Sequence, residues 1–300
     1  MSFGGIPITE LTVKANDIEL AYETFGDPSA PPILLIAGIG EQMISWDEEF
    51  CQQLVAEGFS VIRFDNRDAG LSTKLDDEAI PNLSEVMQAR SQRKAIHVPY
   101  TLEDMAADTV GLLDALEMEV THVVGLSMGG MIGQSVAIHY PERVSTLTSI
   151  MSSMTPVPPP NPETVSFLVT PPPAEREDNI KYWLKWCRLV HGSASPLDEK
   201  YHQERIERAF DRSYYPQGAG RQFAAILASG SRREALKEAN IPTLVIHGDA
   251  DPLFPVSAGI DTAETIPGAD LLIIEGMGHS IPLEFAQKVI VAIAHHAKES

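Results

Sequence analysis

His122-Val123-Val124-Gly125-Leu126-Ser127-Met128-Gly129-Gly130 runs an apolar, β-branched stretch straight into a serine set among glycines. The pattern predicts a strand over 122–126, a sharp corner at Ser127 and a helix over Met128–His139. A serine at such a corner needs neighbours without Cβ, because strand and helix close on one another there. In return its hydroxyl is presented at a helix N-terminus, where aligned backbone dipoles favour developing negative charge. In a plain loop the same letters would be a glycine-rich turn with an incidental serine. The strand before and the helix after make Ser127 a candidate nucleophile.

On either side the chain keeps the same alternation. Leu11–Ala15 and 19–25 read as paired antiparallel strands, ended by the turn Gly26-Asp27-Pro28. Residues 33–37 are continuously apolar, as in a strand buried on both faces. A helix over 46–57 stops at Gly58, and 59–64 is the next strand. Thr101 and Asp104 open a helix over 101–116 with a capping-box-like pair. Strands follow at Val144–Ile150, 243–247 and 270–275, with helices near Val256–Thr265 and over 282–297. Strands joined by crossover helices predict an α/β fold with a mostly parallel central sheet flanked by helices.

Two stretches break the rhythm. Residues 72–100 read as an irregular excursion, much longer than the usual strand-to-helix connection. Beyond Ile150, eight prolines between Pro156 and Pro173 argue against a strand or a regular helix there. Several helices without a strand then run to about residue 237. The expected organisation is a core domain of residues 1–151 and 239–300, with a helical cap inserted at 152–238.

Composition narrows the possible partners. The 300 residues carry 22 Lys and Arg against 42 Asp and Glu, a formal charge of −20. Such a surface repels phosphate backbones and anionic lipid, so nucleic acid and membrane are both poor partners. Neither an apolar run of membrane-spanning length nor a leader pattern in the first thirty residues is present. Cys51 and Cys187 lie far apart without metal-binding spacing, which fits two reduced thiols and a cytoplasmic protein. The expected assembly is a monomer or a homodimer.

A serine at the corner is inert without a base. His279, in Gly276-Met277-Gly278-His279, follows the strand over 270–275, at the end of an open α/β sheet where ligand chemistry collects. Most of the other histidines have plainer readings: His122 and His139 fall in or beside core elements, and His295 and His296 on the terminal helix. A carboxylate should orient that imidazole. Two aspartates compete in Gly248-Asp249-Ala250-Asp251-Pro252, and Asp251, followed by the rigid proline, is favoured. The resulting chain order is serine, acid, histidine.

Those motifs, with Ala37-Gly38-Ile39-Gly40 and Phe64-Asp65-Asn66-Arg67-Asp68-Ala69-Gly70-Leu71-Ser72, make the sequence resemble the α/β-hydrolases. Phe25-Gly26-Asp27-Pro28, the 46–57 helix and Val61-Ile62-Arg63-Phe64-Asp65 look most similar to the aclacinomycin methylesterase group. Those bacterial enzymes resemble proline-iminopeptidase-like hydrolases and act on esters of polyketide antibiotics. The resemblance implies Ser127 as nucleophile, His279 as base and then acid, and Asp251 as its orienter. It also implies an oxyanion hole from the backbone N–H groups of Ile39 and Met128, and a framework role for Asp65, Arg67, His247 and Asp249. The family often has His-Gly where this chain has Ala37-Gly38.

The insertion holds nine of the chain's twenty aromatics between Phe167 and Phe223 and is close to neutral, while the remainder carries nearly all the negative charge. Such a cap suits a bulky, mostly apolar substrate, with Trp183 and Trp186 as candidate contacts. The expectation is a serine carboxylic-ester hydrolase, without metal or cofactor, acting on an ester or lactone of a polyketide- or macrolide-like small molecule. A C–C bond hydrolase, a perhydrolase and an iminopeptidase-like peptidase would use the same triad, and a ligand receptor would keep the same pocket.

Overall fold

The computed structural model describes residues 10–300 apart from 93, 95 and 158. The first nine residues of the expected core domain therefore lie outside the described residues. Eight strands form one sheet: β1 (Leu11–Ala15), β2 (Ile18–Phe25), β3 (Pro32–Ile36), β4 (Ser60–Phe64), β5 (Thr121–Leu126), β6 (Val144–Ile150), β7 (Thr243–Gly248) and β8 (Asp270–Ile274). Their order is β1-β2-β4-β3-β5-β6-β7-β8. Pairings of β1 with β2 and of β2 with β4 are antiparallel, and every pairing from β4 to β8 is parallel.

The apolar run on β3 has the predicted cause. Leu34 and Ile36 join one core with Val123, Met128, Ile132 and Leu102, while Ile33 and Leu35 join the other with Val124, Phe50, Leu54 and Ile290. Alternate side chains of a strand point to opposite faces, so both faces of the sheet are dry here. Helices α3 (Leu102–Ala115) and α4 (Met128–His139) cover the first face, and α1 (Glu48–Ala56) and α11 (Leu283–Glu299) the second. The Thr101–Asp104 capping box opens α3 as expected. The chain goes from β3 outward to β4 and later returns to β3's other side as β5. The crevice beyond β3 and β5 is thus a topological switch point, where sheets of this kind bind ligands.

Two sequence expectations need correction. The 72–100 stretch contains α2 (Leu83–Ser91), whose N-cap Asn82 accepts from the amides of Ser84 and Glu85. Only Val86 of this helix is buried, so there was little periodicity to read. The proline-rich stretch contains α5 (Pro162–Val169), with Pro162 in the first turn, where its missing N–H costs nothing. Residue 158 of that stretch lies outside the described residues.

Between β6 and β7 lie α5, α6 (Arg176–Val190), α7 (Glu199–Arg212), α8 (Pro216–Ser229) and the short α9 (Arg233–Leu236). The insertion leaves the sheet at the C-terminal end of β6, on the crevice side, and rejoins it at the N-terminal end of the parallel β7, on the opposite edge. Several arginines tie it down. Arg212 pairs with Asp65, and Arg221 with Asp68. Arg232 donates to Gln134 Oε1 and the Ser153 carbonyl. Burial with no acidic partner in contact pushes the Arg232 guanidinium down to about 10. The remaining helix, α10 (Val256–Thr265), follows β7. Cys51 and Cys187 are both free thiols. Among the described residues no helix is long and apolar enough to cross a membrane.

Candidate active site

Ser127 sits between β5 and α4 with φ 55° and ψ −116°, a left-handed conformation that costs an ordinary residue ~1–3 kcal/mol. Its N–H donates to the Ile150 carbonyl at 2.8 Å, and Ser152 Oγ donates to the Ser127 carbonyl at 2.8 Å. The glycines around it are required by contact. A Cβ on Gly125 would lie 2.1 Å from the Gly129 carbonyl oxygen, and one on Gly129 would lie 2.1 Å from that of Ile36. The corner closes only with bare backbone at both positions.

His279 and Asp251 arrive from the turns that follow β8 and β7. Asp251 Oδ1 accepts from the amides of Leu253 and Phe254 at 2.7 and 2.9 Å, so the carboxylate is aimed before the imidazole reaches it. Its Oδ2 lies 2.7 Å from His279 Nδ1, and His279 Nε2 lies 3.0 Å from Ser127 Oγ. A carboxylate only accepts, so Nδ1 carries the proton and Nε2 is the free acceptor facing the serine hydroxyl. All three side chains are buried, and the Phe254 ring meets the His279 ring edge-on at 5.5 Å. Burial alone would raise the Asp251 carboxyl. The His279 charge and hydrogen bonds from His247, His279 and the Phe254 amide outweigh it, holding the group well below the usual carboxylate range.

The other predicted positions are distributed as follows. Met128, the first residue of α4, is fully buried, and Ile39 packs against the same core cluster. The turn carrying Ile39 is clamped on both sides: Gly38 N–H donates to Glu41 Oε2 at 3.1 Å and Gly40 N–H to Gln222 Oε1 at 2.7 Å. Glu41 thus holds the turn in a chain that has Ala37 before the glycine. Trp183 and Trp186 belong to an aromatic cluster of α5 and α6. Trp186 lies 5.4 Å from the Phe167 ring and Trp183 5.4 Å from that of Tyr182. Of the two competing aspartates, Asp251 contacts the imidazole, while Asp249 Oδ1 accepts from Gly276 N–H at 2.6 Å and so anchors the histidine loop.

Two neighbours escape the sequence reading, and a third, His247, sits where a framework residue would: it is fully buried with Nε2 3.5 Å from Asp251 Oδ2. Gln222 reaches the Gly38–Gly40 turn from 182 residues away. The end of α6 lies over the histidine loop. Only His247 had any signal, its place four residues before Asp251. Among the described residues no cluster of three or more His, Cys, Asp or Glu is arranged to hold a metal ion.

An open, mostly parallel sheet with a buried serine, histidine and aspartate in hydrogen-bonding line beyond its strand ends defines an α/β-hydrolase. The family model for the alpha/beta hydrolase fold matches residues 31–182, and the chain belongs to that family. It is 30% identical, over 95% of its length and 97% of the relative's, to rhodomycin D methylesterase DnrP of Streptomyces peucetius. With rhodomycin D methylesterase DauP of Streptomyces sp. strain C5 it shares 29% identity at the same coverage. In fold it is similar to 2-hydroxy-6-oxo-6-phenylhexa-2,4-dienoate hydrolase from Rhodococcus sp. strain RHA1. The TM-score is 0.78 at 18% identity, covering 98% of this chain and all of that one.

Proposed function

We propose that this α/β-hydrolase is a serine carboxylic-ester hydrolase of the methylesterase type, working through an acyl-enzyme. The observation that carries the reading is one imidazole spanning Ser127 Oγ at 3.0 Å and Asp251 Oδ2 at 2.7 Å. In the first half-reaction Ser127 Oγ attacks the ester carbonyl and gives its proton to His279 Nε2. Asp251 holds the imidazole in the required tautomer and stabilises its charge. The oxyanion accepts from the N–H groups of Ile39 and Met128, the second lying at the N-terminus of α4. Collapse of this intermediate expels the alcohol, which takes the proton from His279. Water then gives a proton to the same nitrogen as it attacks the acyl group. A second collapse releases the acid and returns the proton to Ser127. No cofactor is needed.

The substrate is an ester or lactone of a bulky, mostly apolar small molecule of polyketide or macrolide type. Support comes from the two rhodomycin D methylesterases and from the aromatic insertion beside the crevice, where Trp183 and Trp186 are the candidate contacts. In this reading residues 152–238 act as a cap over a core made of the rest, and the enzyme works in the cytoplasm. Hydrolysis of p-nitrophenyl esters from acetate to decanoate, and of methyl-ester and macrolactone polyketides followed by mass spectrometry, tests it. Ser127→Ala is expected to lose at least ~10³-fold in kcat/KM. Equal rates in both proteins would remove the serine from the mechanism. Turnover of a ring-cleavage dienoate with no ester hydrolysed would replace the ester reading by carbon–carbon bond cleavage.

A further inference from the structure

The loop presenting His279 is held between the core and the insertion. From the core side, Ala250 N–H donates to the Met277 carbonyl at 3.1 Å, and Asp249 takes the Gly276 N–H. From the other side comes the chain leaving α6, residues 190–194. His279 N–H donates to the Val190 carbonyl at 2.7 Å and Gly278 N–H to that of His191 at 3.2 Å. In the opposite direction the amides of Ser193 and Ala194 donate to the Gly276 carbonyl at 2.8 and 3.2 Å. Gly192 and Met277 pair as an antiparallel bridge. Just beyond, Ser195 Oγ donates to Glu284 at the start of α11 and lies 3.3 Å from His191 Nε2. The strap is therefore pinned at its far end as well.

This contact leaves no room for side chains. A Cβ on Gly192, whose φ is +100°, would lie 2.3 Å from the Gly276 carbonyl oxygen and 2.4 Å from Gly278 N. One on Gly278 would lie 2.0 Å from the Val190 carbonyl oxygen. The two backbones meet through paired glycines, with the histidine at the end of the seam.

We propose that the strap of residues 190–194 positions His279, with Gly192 as its positioning residue, so that the imidazole is aligned on Ser127 only while the insertion is seated. The inference rests on the reading of His279 as the base. Its physical basis is that the His279 backbone bonds directly to the last turn of α6. Displacing the strap shifts the imidazole relative to a serine whose amide is held separately by the Ile150 carbonyl on β6. A misplacement of about 1 Å is worth ~10²-fold in rate.

The test compares kcat, KM and the pH profile of p-nitrophenyl ester hydrolysis in wild type, Ser127→Ala, Gly192→Ala and Gly58→Ala. Gly58 is the matched control, because its φ is +99° and a Cβ there meets nothing within 4 Å. Gly192→Ala is expected to lose ~10–100-fold in kcat with KM within about threefold of wild type, and to shift the acid limb of the profile. Gly58→Ala should keep wild-type kcat. Wild-type kcat in Gly192→Ala, or an equal loss in both glycine variants, overturns the proposal. If Gly192→Ala does not fold, amide exchange in the wild type takes its place. Slow exchange at Gly278 and His279 supports the strap, and exchange at open-loop rates overturns it. Retained activity in Ser127→Ala would instead overturn the esterase reading itself.

Discussion

Arg221 on α8 and Asp68 beyond β4 meet through two hydrogen bonds of 2.8 and 3.0 Å, with both side chains sealed from solvent. Asp68 also accepts from Tyr100 Oη and the Leu75 amide, each at 2.8 Å. The pair fastens the insertion to the core, and its worth lies in being complete. Removing one partner leaves a buried charge unpaired, at about 3–5 kcal/mol. Asp68→Asn is therefore expected to lower the unfolding free energy, extrapolated from urea denaturation, by that amount at pH 7. A change under about 1 kcal/mol would mean that water reaches the pair.

Gly125→Ala should be among the most damaging single methyl additions in the chain. The added carbon meets backbone rather than a flexible side chain, so relief requires pulling α4 away from β5. We expect a loss of more than about 4 kcal/mol or no folded protein, read from soluble yield and thermal unfolding.

Asp251→Asn should lower kcat by roughly 10⁴-fold with the fold retained, because the amide no longer selects the required imidazole tautomer. It should also flatten the acid side of the stability curve. In the wild type the folded carboxyl lies below its ordinary value of 3.8. Between those two values the unfolded chain binds the proton and the folded one does not, so stability rises with pH. The stabilisation is fully present above the unfolded value and lost as pH falls through the folded one. Unfolding midpoints from pH 2 to 6 should show a shallower slope in Asp251→Asn.

Gln222 offers a readout on the turn after β3. Its Oε1 takes the Gly40 N–H, and its Nε2 donates to the Arg67 carbonyl at 2.9 Å. Gln222→Leu removes both bonds at similar volume. Loss of an oxyanion donor costs ~10²–10³-fold, and loosening the turn that carries Ile39 should cost about tenfold in kcat with KM little changed. An unchanged kcat would separate the turn from catalysis.

The sheet was legible because its signals are local. The apolar run of β3, the Thr101–Asp104 cap and the glycines flanking Ser127 each report a constraint set by neighbours a few residues away. Helices α2 and α5 escaped for the opposite reason. The first buries one side chain, so it has almost no face to read, and the second hides behind a proline that is harmless in a first turn. Ser127, Asp251 and His279 could each be nominated, since every one ends a strand in a recognisable turn. Nothing local in the sequence revealed that residues 190–194 would lie across the histidine loop.

By itself, then, the sequence determined the strand–helix alternation, the cramped corner at Ser127 and the two turns from which a carboxylate and an imidazole could come. Short-range sterics and hydrophobic periodicity are written residue by residue, and they need no partner to be read. Only the tertiary structure decided how Asp251, favoured in the sequence, meets the imidazole, that Gln222 and Glu41 clamp the turn after β3, and that the end of α6 grips the loop carrying His279. Those relationships join residues up to 182 positions apart through hydrogen bonds to backbone groups, the Asp251–His279 side-chain contact and close glycine approaches. A peptide group is the same at every position, so its partner is named only when the fold brings the two together.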